Sequence, residues 1–241
     1  MDALNLGICP HALLGGRLTD WVLLGVQVHK TSGVLLRVRP FWSFRALRAA
    51  YGSLQAAYVD AAHAASLVPR GFTPVAAAQA QDEVVFIGRE GKIGAPEAIA
   101  GKALAFVPRT LAGCLGLETL ARRGIRPRWP VKCDRWLQVV RAVREGRADA
   151  GVLPGEVFWG LSGLARRGLQ QVGRPVAAPA GHVLMVQRHD PQAVQRLQEA
   201  LLAAGDTAEA RLLLARLGVV SWLRPDDVLP RVRPLLAACR A

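Results

Sequence analysis

Five histidines, His11, His29, His63, His182 and His189, carry the side chains best suited to bind a metal or move protons. No two of them stand four residues apart, so no helix face presents a ready metal pair. The cysteines Cys9, Cys114, Cys133 and Cys239 contain no Cys-x-x-Cys. That argues against a structural zinc site and leaves disulfides permitted but not required. The glycine-rich phosphate loops G-x-G-x-x-G and G-x-x-x-x-G-K-[ST] are missing, as is the G-x-S-x-G nucleophile elbow. No cofactor is therefore expected.

The residues that could do chemistry instead fall in loops that follow short apolar runs. They are His11 after Cys9-Pro10, Trp42 and Ser43, Tyr58 and Asp60, Arg109-Thr110-Leu111, Cys133-Asp134, and Glu156 after Leu153-Pro154-Gly155. Ligands of open α/β sheets bind beyond the carboxyl ends of strands, where helix N-termini offer free N–H groups to an anion. Each residue also has a plainer reading. Ser43, Asp60 and Asp134 suit helix caps, Trp42 and Tyr58 suit packing, and Arg109 suits an exposed surface. Their joint placement at strand ends marks them as a candidate ligand site.

The elements that would position them alternate. Strand-like runs at 4–9, 34–38, 54–59, 74–80, 83–88, 103–107, 131–133, 150–153 and 182–187 are separated by helix-like spacing. Helices are predicted over 18–28, after Ser43, after Asp60, over 112–123 and 137–145 (the latter capped by Asp134), over 157–167, 191–204 and 208–217, with a last one after Asp227. This pattern predicts an α/β fold with mainly parallel strands.

The chain has 241 residues, 51% of them hydrophobic, enough for a large core or two small ones. Its net charge of +13 comes mostly from arginine, since the only lysines are Lys30, Lys92, Lys102 and Lys132. The basic residues are spread along the chain rather than clustered. An anion-attracting site or a generally basic surface therefore fits better than a nucleic-acid face. No run of apolar residues is long enough to span a bilayer. The opening MDALNLGIC lacks the basic and apolar regions of a signal peptide. A cytoplasmic location follows if Met1 is the native start, and a periplasmic one if a signal has been removed.

Four segments carry a resemblance: GAPEAIAGKALAFV, LQVVRAVREGRADAGVL, GSLQAAYVDAAHAASLV and HDPQAVQRLQEALLAAGDTAEARLLLARLGVVSWLRPDD. The first two resemble steps of type II periplasmic binding proteins, and the last two resemble segments of the phosphate/phosphite/phosphonate branch of ABC-transporter solute-binding proteins. The resemblance implies two α/β lobes with mixed, mainly parallel sheets, helices on both faces and a ligand cleft between the lobes. Lobe 1 would comprise 1–83 and 181–241, lobe 2 84–180, with hinges near 83–92 and 174–181. It implies a non-enzymatic, monomeric protein that delivers a small ligand to an ABC permease if exported.

The phosphonate binders carry a Ser-Thr-Ser-Gly-like run at a helix start, where this chain has Thr110-Leu111-Ala112-Gly113. Cys133 stands near their histidine position, Leu153-Pro154 at an acidic one, and Asp60-Ala61 replace Gly-Pro. Phosphonate itself is therefore not expected, and three ligand classes stay open: another oxyanion or organic anion held by Arg109, a larger and less polar molecule lined by Trp42, Tyr58, Leu111 and Leu153, and a soft ligand such as arsenite at Cys114 and Cys133. Two alternatives share the fold: a cytosolic enzyme like the menaquinone-pathway lyases and synthases, and a detached ligand-sensing module.

Overall fold

The computed structural model describes residues 3–80, 82–187, 190–226, 228, 230 and 231. His189, Cys239 and most of the last expected helix lie outside them. The described residues form two compact units. Unit 1 takes those within Met1–Ala80 and Ala180–Val232, and unit 2 those within Gln81–Pro179.

Unit 1 is built on a six-stranded sheet in the order β11-β4-β10-β3-β1-β2. Its strands are β1 (Ala3–Ile8), β2 (Leu35–Pro40), β3 (Ala56–Asp60), β4 (Phe72–Gln79), β10 (His182–Gln187) and β11 (Ser221–Leu223). β1 pairs in parallel with β2 and β3, while β10 runs antiparallel to β3 and β4, and β11 antiparallel to β4. The four early strands thus share one direction, and the two late ones are inserted against them. β3 reads Ala-Ala-Tyr-Val-Asp and is buried throughout, as a central strand covered on both faces must be.

The helices of unit 1 are α1 (Leu18–Ser32), α2 (Phe44–Ala50), α3 (Ala61–Leu67), α8 (Pro191–Leu202) and α9 (Ala208–Arg216). α1 buries Trp21, Leu24 and Val28 at helical spacing and ends at Gly33, whose φ of 74° suits a residue without Cβ. It packs on β2, α8 and α9.

Unit 2 has a five-stranded sheet in the order β7-β6-β8-β5-β9. Its strands are β5 (Glu83–Arg89), β6 (Ala103–Phe106), β7 (Trp129–Lys132), β8 (Ala150–Pro154) and β9 (Leu169–Ala177). β6 pairs in parallel with β7 and β8, and β5 runs antiparallel to β8 and β9. Its helices are α4 (Leu111–Arg122), α5 (Trp136–Arg144), α6 (Gly155–Trp159) and α7 (Gly163–Arg166). A Cβ on Gly116 would stand 2.4 Å from a Val152 methyl, so this glycine sets how closely α4 approaches β8. α5 buries Trp136, Val139, Val140 and Val143 along one stripe.

Several boundaries differ from the sequence reading. The helix expected over 157–167 is two short ones. Gly160 caps the first, and the Ser162 hydroxyl, accepting from the Ala165 N–H at 3.2 Å, starts the second. Asp134, expected to cap α5, does not. Arg135 is the N-cap, and the Gln138 side-chain oxygen accepts from the N–H groups of Asp134 and Arg135 at 2.8 and 3.2 Å. β9 and β11 are strands the sequence reading did not assign. Among the described residues no helix is long and apolar enough to cross a membrane.

Candidate functional site

In unit 1 the strand directions bring the carboxyl ends of β1, β3 and β4 to the same edge as the amino ends of β10 and β11. His182 pairs with Asp60, and Ser221 with Gln79. The Ser221 hydroxyl donates to the Gln79 side-chain oxygen at 2.6 Å.

The chain beyond β1 enters a 3-10 turn at His11, whose ring lies 4.7 Å from that of His182, edge to face. His182 stacks on Tyr58 at 5.2 Å. Tyr58 in turn meets Trp21 at 4.4 Å and Trp222 at 5.7 Å. All five rings are buried. Residues from the turn after β1, from β3, β10 and β11 and from α1 thus form one aromatic and imidazole cluster.

Asp60 closes this edge. Its Oδ1 accepts the His63 backbone N–H at 2.9 Å, capping α3, and its Oδ2 lies 3.0 Å from His63 Nδ1. Burial pushes the Asp60 carboxyl up. The charge and hydrogen bonds of His63, together with the His182 imidazole, outweigh that and hold it at about 2. His63 is 1% exposed and stacks on Phe44 at 5.2 Å. Nearby Tyr51 has its hydroxyl far above the ordinary range, first through burial and then through the charges of Asp60 and Cys9. Ser43 is buried and its hydroxyl accepts from the Ala46 N–H at 3.2 Å, capping α2, whereas the adjacent Trp42 is 61% exposed.

In unit 2 the corresponding edge carries Arg109-Thr110-Leu111 after β6, Cys133-Asp134 after β7, and Glu156 after β8. Thr110 is wholly buried. Its hydroxyl donates to the Val107 carbonyl at 2.8 Å and accepts from the Gly113 N–H at 3.1 Å, so it works as the cap of α4. Gly113 admits no side chain, because a Cβ would stand 2.4 Å from the Val107 carbonyl oxygen. Arg109 is exposed and holds a φ of 62°, a conformation strained for a residue with a side chain. Leu111 is buried at the helix start.

Cys133 is half-buried, and burial pushes its thiol up, partly opposed by Arg147. Asp134 is half-buried and Glu156 exposed. Glu83, at the start of β5, accepts the Trp159 indole N–H at 3.0 Å, and its carboxylate lies against Gly155, where a Cβ would come within 2.6 Å. Among the described residues no three His, Cys, Asp or Glu side chains gather as a metal set would.

The structure therefore brings together His11, Tyr58 and Asp60 in unit 1 and Arg109, Thr110 and Leu111 in unit 2. Trp42 stands apart in solvent. Sequence reasoning missed His182, Trp222, Glu83 and Trp159 as members of these edges. His182 and Trp222 lie on strands whose partners are more than 100 residues away, and their spacing carried no signal of that pairing.

Two α/β units, each with its sheet edge furnished by polar and aromatic residues and with the chain crossing between them at residues 80–82 and 179–180, define the class of two-lobe solute-binding folds. Residues 20–228 match the family described as ABC transporter, phosphonate, periplasmic substrate-binding protein, and the chain belongs to it. The family assigns the protein a small-molecule ligand and an ABC permease as partners and is typically periplasmic.

Among solved structures, a binding-protein component of an ABC phosphonate transporter from Pseudomonas aeruginosa, PA3383, is similar with a TM-score of 0.82 and 15% identity, over 99% of this chain and 87% of that one. PhnD1 from Prochlorococcus marinus, in complex with methylphosphonate, gives 0.76 and 12%, over 98% of each chain. XAC2383 from Xanthomonas citri, bound to ATP, gives 0.75 and 20%, over 100% of this chain and 98% of that one. At these identities the likeness is one of fold. No curated protein matches the chain by sequence.

Proposed function

We propose that the protein captures a small organic anion at the His11–Tyr58–His182 edge of unit 1 and presents it to an ABC permease. The observation that carries this reading is the convergence of two imidazoles and a phenol from three separate chain segments, with ring centroids 4.7 and 5.2 Å apart. Imidazole and phenol hydrogens donate to anionic oxygens, and the surrounding rings suit an apolar body attached to the anion. The neighbouring Asp60 carboxylate carries the same sign of charge as such a ligand, and His63, the first turn of α3 and His182 offset it.

Phosphonate is disfavoured by the state of unit 2. The single hydroxyl in the Thr110–Gly113 run already donates to Val107 and accepts from Gly113. A phosphonate missing hydroxyl donors would be undercoordinated, at about 1–3 kcal/mol for each missing partner.

The test is a thermal-shift and calorimetric screen of the purified chain with methylphosphonate, phosphate, ATP, acetate and benzoate. An organic carboxylate is expected to raise the melting temperature more than methylphosphonate does. A strong saturable response to methylphosphonate would overturn the assigned ligand class. No response to any anion would overturn anion capture itself.

A further inference from the structure

Two tryptophans flank the Tyr58 ring, and their indole N–H groups differ. Trp21 meets Tyr58 at 4.4 Å, and its Nε1–H donates to the Ala12 carbonyl at 3.0 Å. Trp222, the central residue of β11, meets the same ring edge to face at 5.7 Å and 74°. It is 4% exposed, and its Nε1 is buried with no hydrogen-bond partner among the described residues. A buried donor left unmatched is costly, and native structures satisfy nearly all of them.

Two other buried groups near Asp60, Tyr51 Oη and His63 Nε2, also stand without a partner. They differ in kind. A hydroxyl can rotate and both donate and accept, and an imidazole nitrogen can change role with its tautomer. An indole nitrogen only donates, from a ring fixed here by packing on Tyr58. Only an acceptor brought to it can satisfy Trp222, and an anion is an acceptor on every oxygen. A phenylalanine would supply the same ring contact with Tyr58, so packing alone does not call for the nitrogen.

We infer that the Trp222 indole N–H is a specificity-determining donor for the bound anion, hydrogen-bonding one of its oxygens alongside the His11–Tyr58–His182 cluster. This rests on the proposed capture of an anion by unit 1 and adds the residue that selects for an oxygen acceptor at that position.

The test uses the whole chain, labelled with 15N at tryptophan, with methylphosphonate, phosphate, acetate, benzoate and ATP as probes. For any probe that the wild-type chain binds, the Trp222 indole N–H resonance is expected to move downfield and to exchange more slowly with solvent. Trp222→Phe is expected to weaken that probe about tenfold or more, as loss of a hydrogen bond to a charged group does. The resonance measurement needs no variant, so it stands even if Trp222→Phe folds poorly. A probe that binds wild type without moving this resonance, or that binds Trp222→Phe equally well, overturns the role of Trp222 and leaves anion capture intact. If no probe binds the wild-type chain, anion capture fails and the inference falls with it.

Discussion

At the sheet edge of unit 1, Asp60 faces His182 across a strand pair, and both are buried. At the sheet edge of unit 2, Arg109 and Glu156 lie in solvent, and the buried polar residue is Thr110. Both edges come from the same device, a strand followed by a capped helix. Asp60 caps α3 as Thr110 caps α4, each accepting from the backbone N–H three residues on. The difference lies in what else the cap touches. Thr110 spends its remaining hydrogen on the Val107 carbonyl of its own loop, so its chemistry is local. Asp60 holds a buried imidazole and feels a second one from β10, so its chemistry reaches across the sheet. Under the proposed function, the charged cap with a partner across the sheet belongs to the ligand site, and the neutral cap closed on its own loop belongs to the scaffold.

The largest test of this contrast is a pair of substitutions. Asp60→Ala removes the cap and strands His63 in the core, and should cost about 3–5 kcal/mol of stability in urea unfolding. Thr110→Ala removes a neutral cap and should cost about 1–2 kcal/mol. Equal losses would erase the distinction between the two edges.

A smaller effect is expected with acid. Asp60 titrates at about 2 in the folded chain against 3.8 ordinarily. Because the folded value is the lower one, its contribution is complete above pH 4 and is lost as pH falls from there toward 2. It amounts to about 2–3 kcal/mol, and Asp60→Asn should lack that part of the pH dependence. An unchanged acid limb in the Asn variant would place the acid sensitivity elsewhere.

The smallest effect concerns Arg109. Its φ of 62° is strained for arginine and natural for glycine. Arg109→Gly should therefore stabilise unit 2, by no more than about 1 kcal/mol, since glycine also adds freedom to the unfolded chain. A clear loss of stability would show that the guanidinium holds the loop.

Much of the scaffold was legible along the chain because it is written in local terms. Ser43 and Asp60 stand directly before apolar helical spacing, and a capping side chain reaches only three residues ahead. Thr110 caps α4 in the same way, but its sequence context marks it only as a ligand-site hydroxyl. β9 and β11 were not legible. β9 runs through Gly173 and Pro175 and alternates poorly, and β11 is three residues held by pairing with β4. Asp134 shows the limit of cap reading. It precedes α5 as a cap would, yet Arg135 and the side chain of Gln138 take that place.

The amino-acid sequence by itself determined the alternation of strands and helices and the caps at Ser43 and Asp60, because each depends on neighbours a few residues apart. Only the tertiary structure decided that His182 meets His11 and Tyr58, and that Trp222 is buried against Tyr58 with its N–H unmatched. Those contacts depend on β10 pairing with β3 and β11 with β4, each across more than 100 residues, and such pairing leaves no periodic trace in the segments it joins.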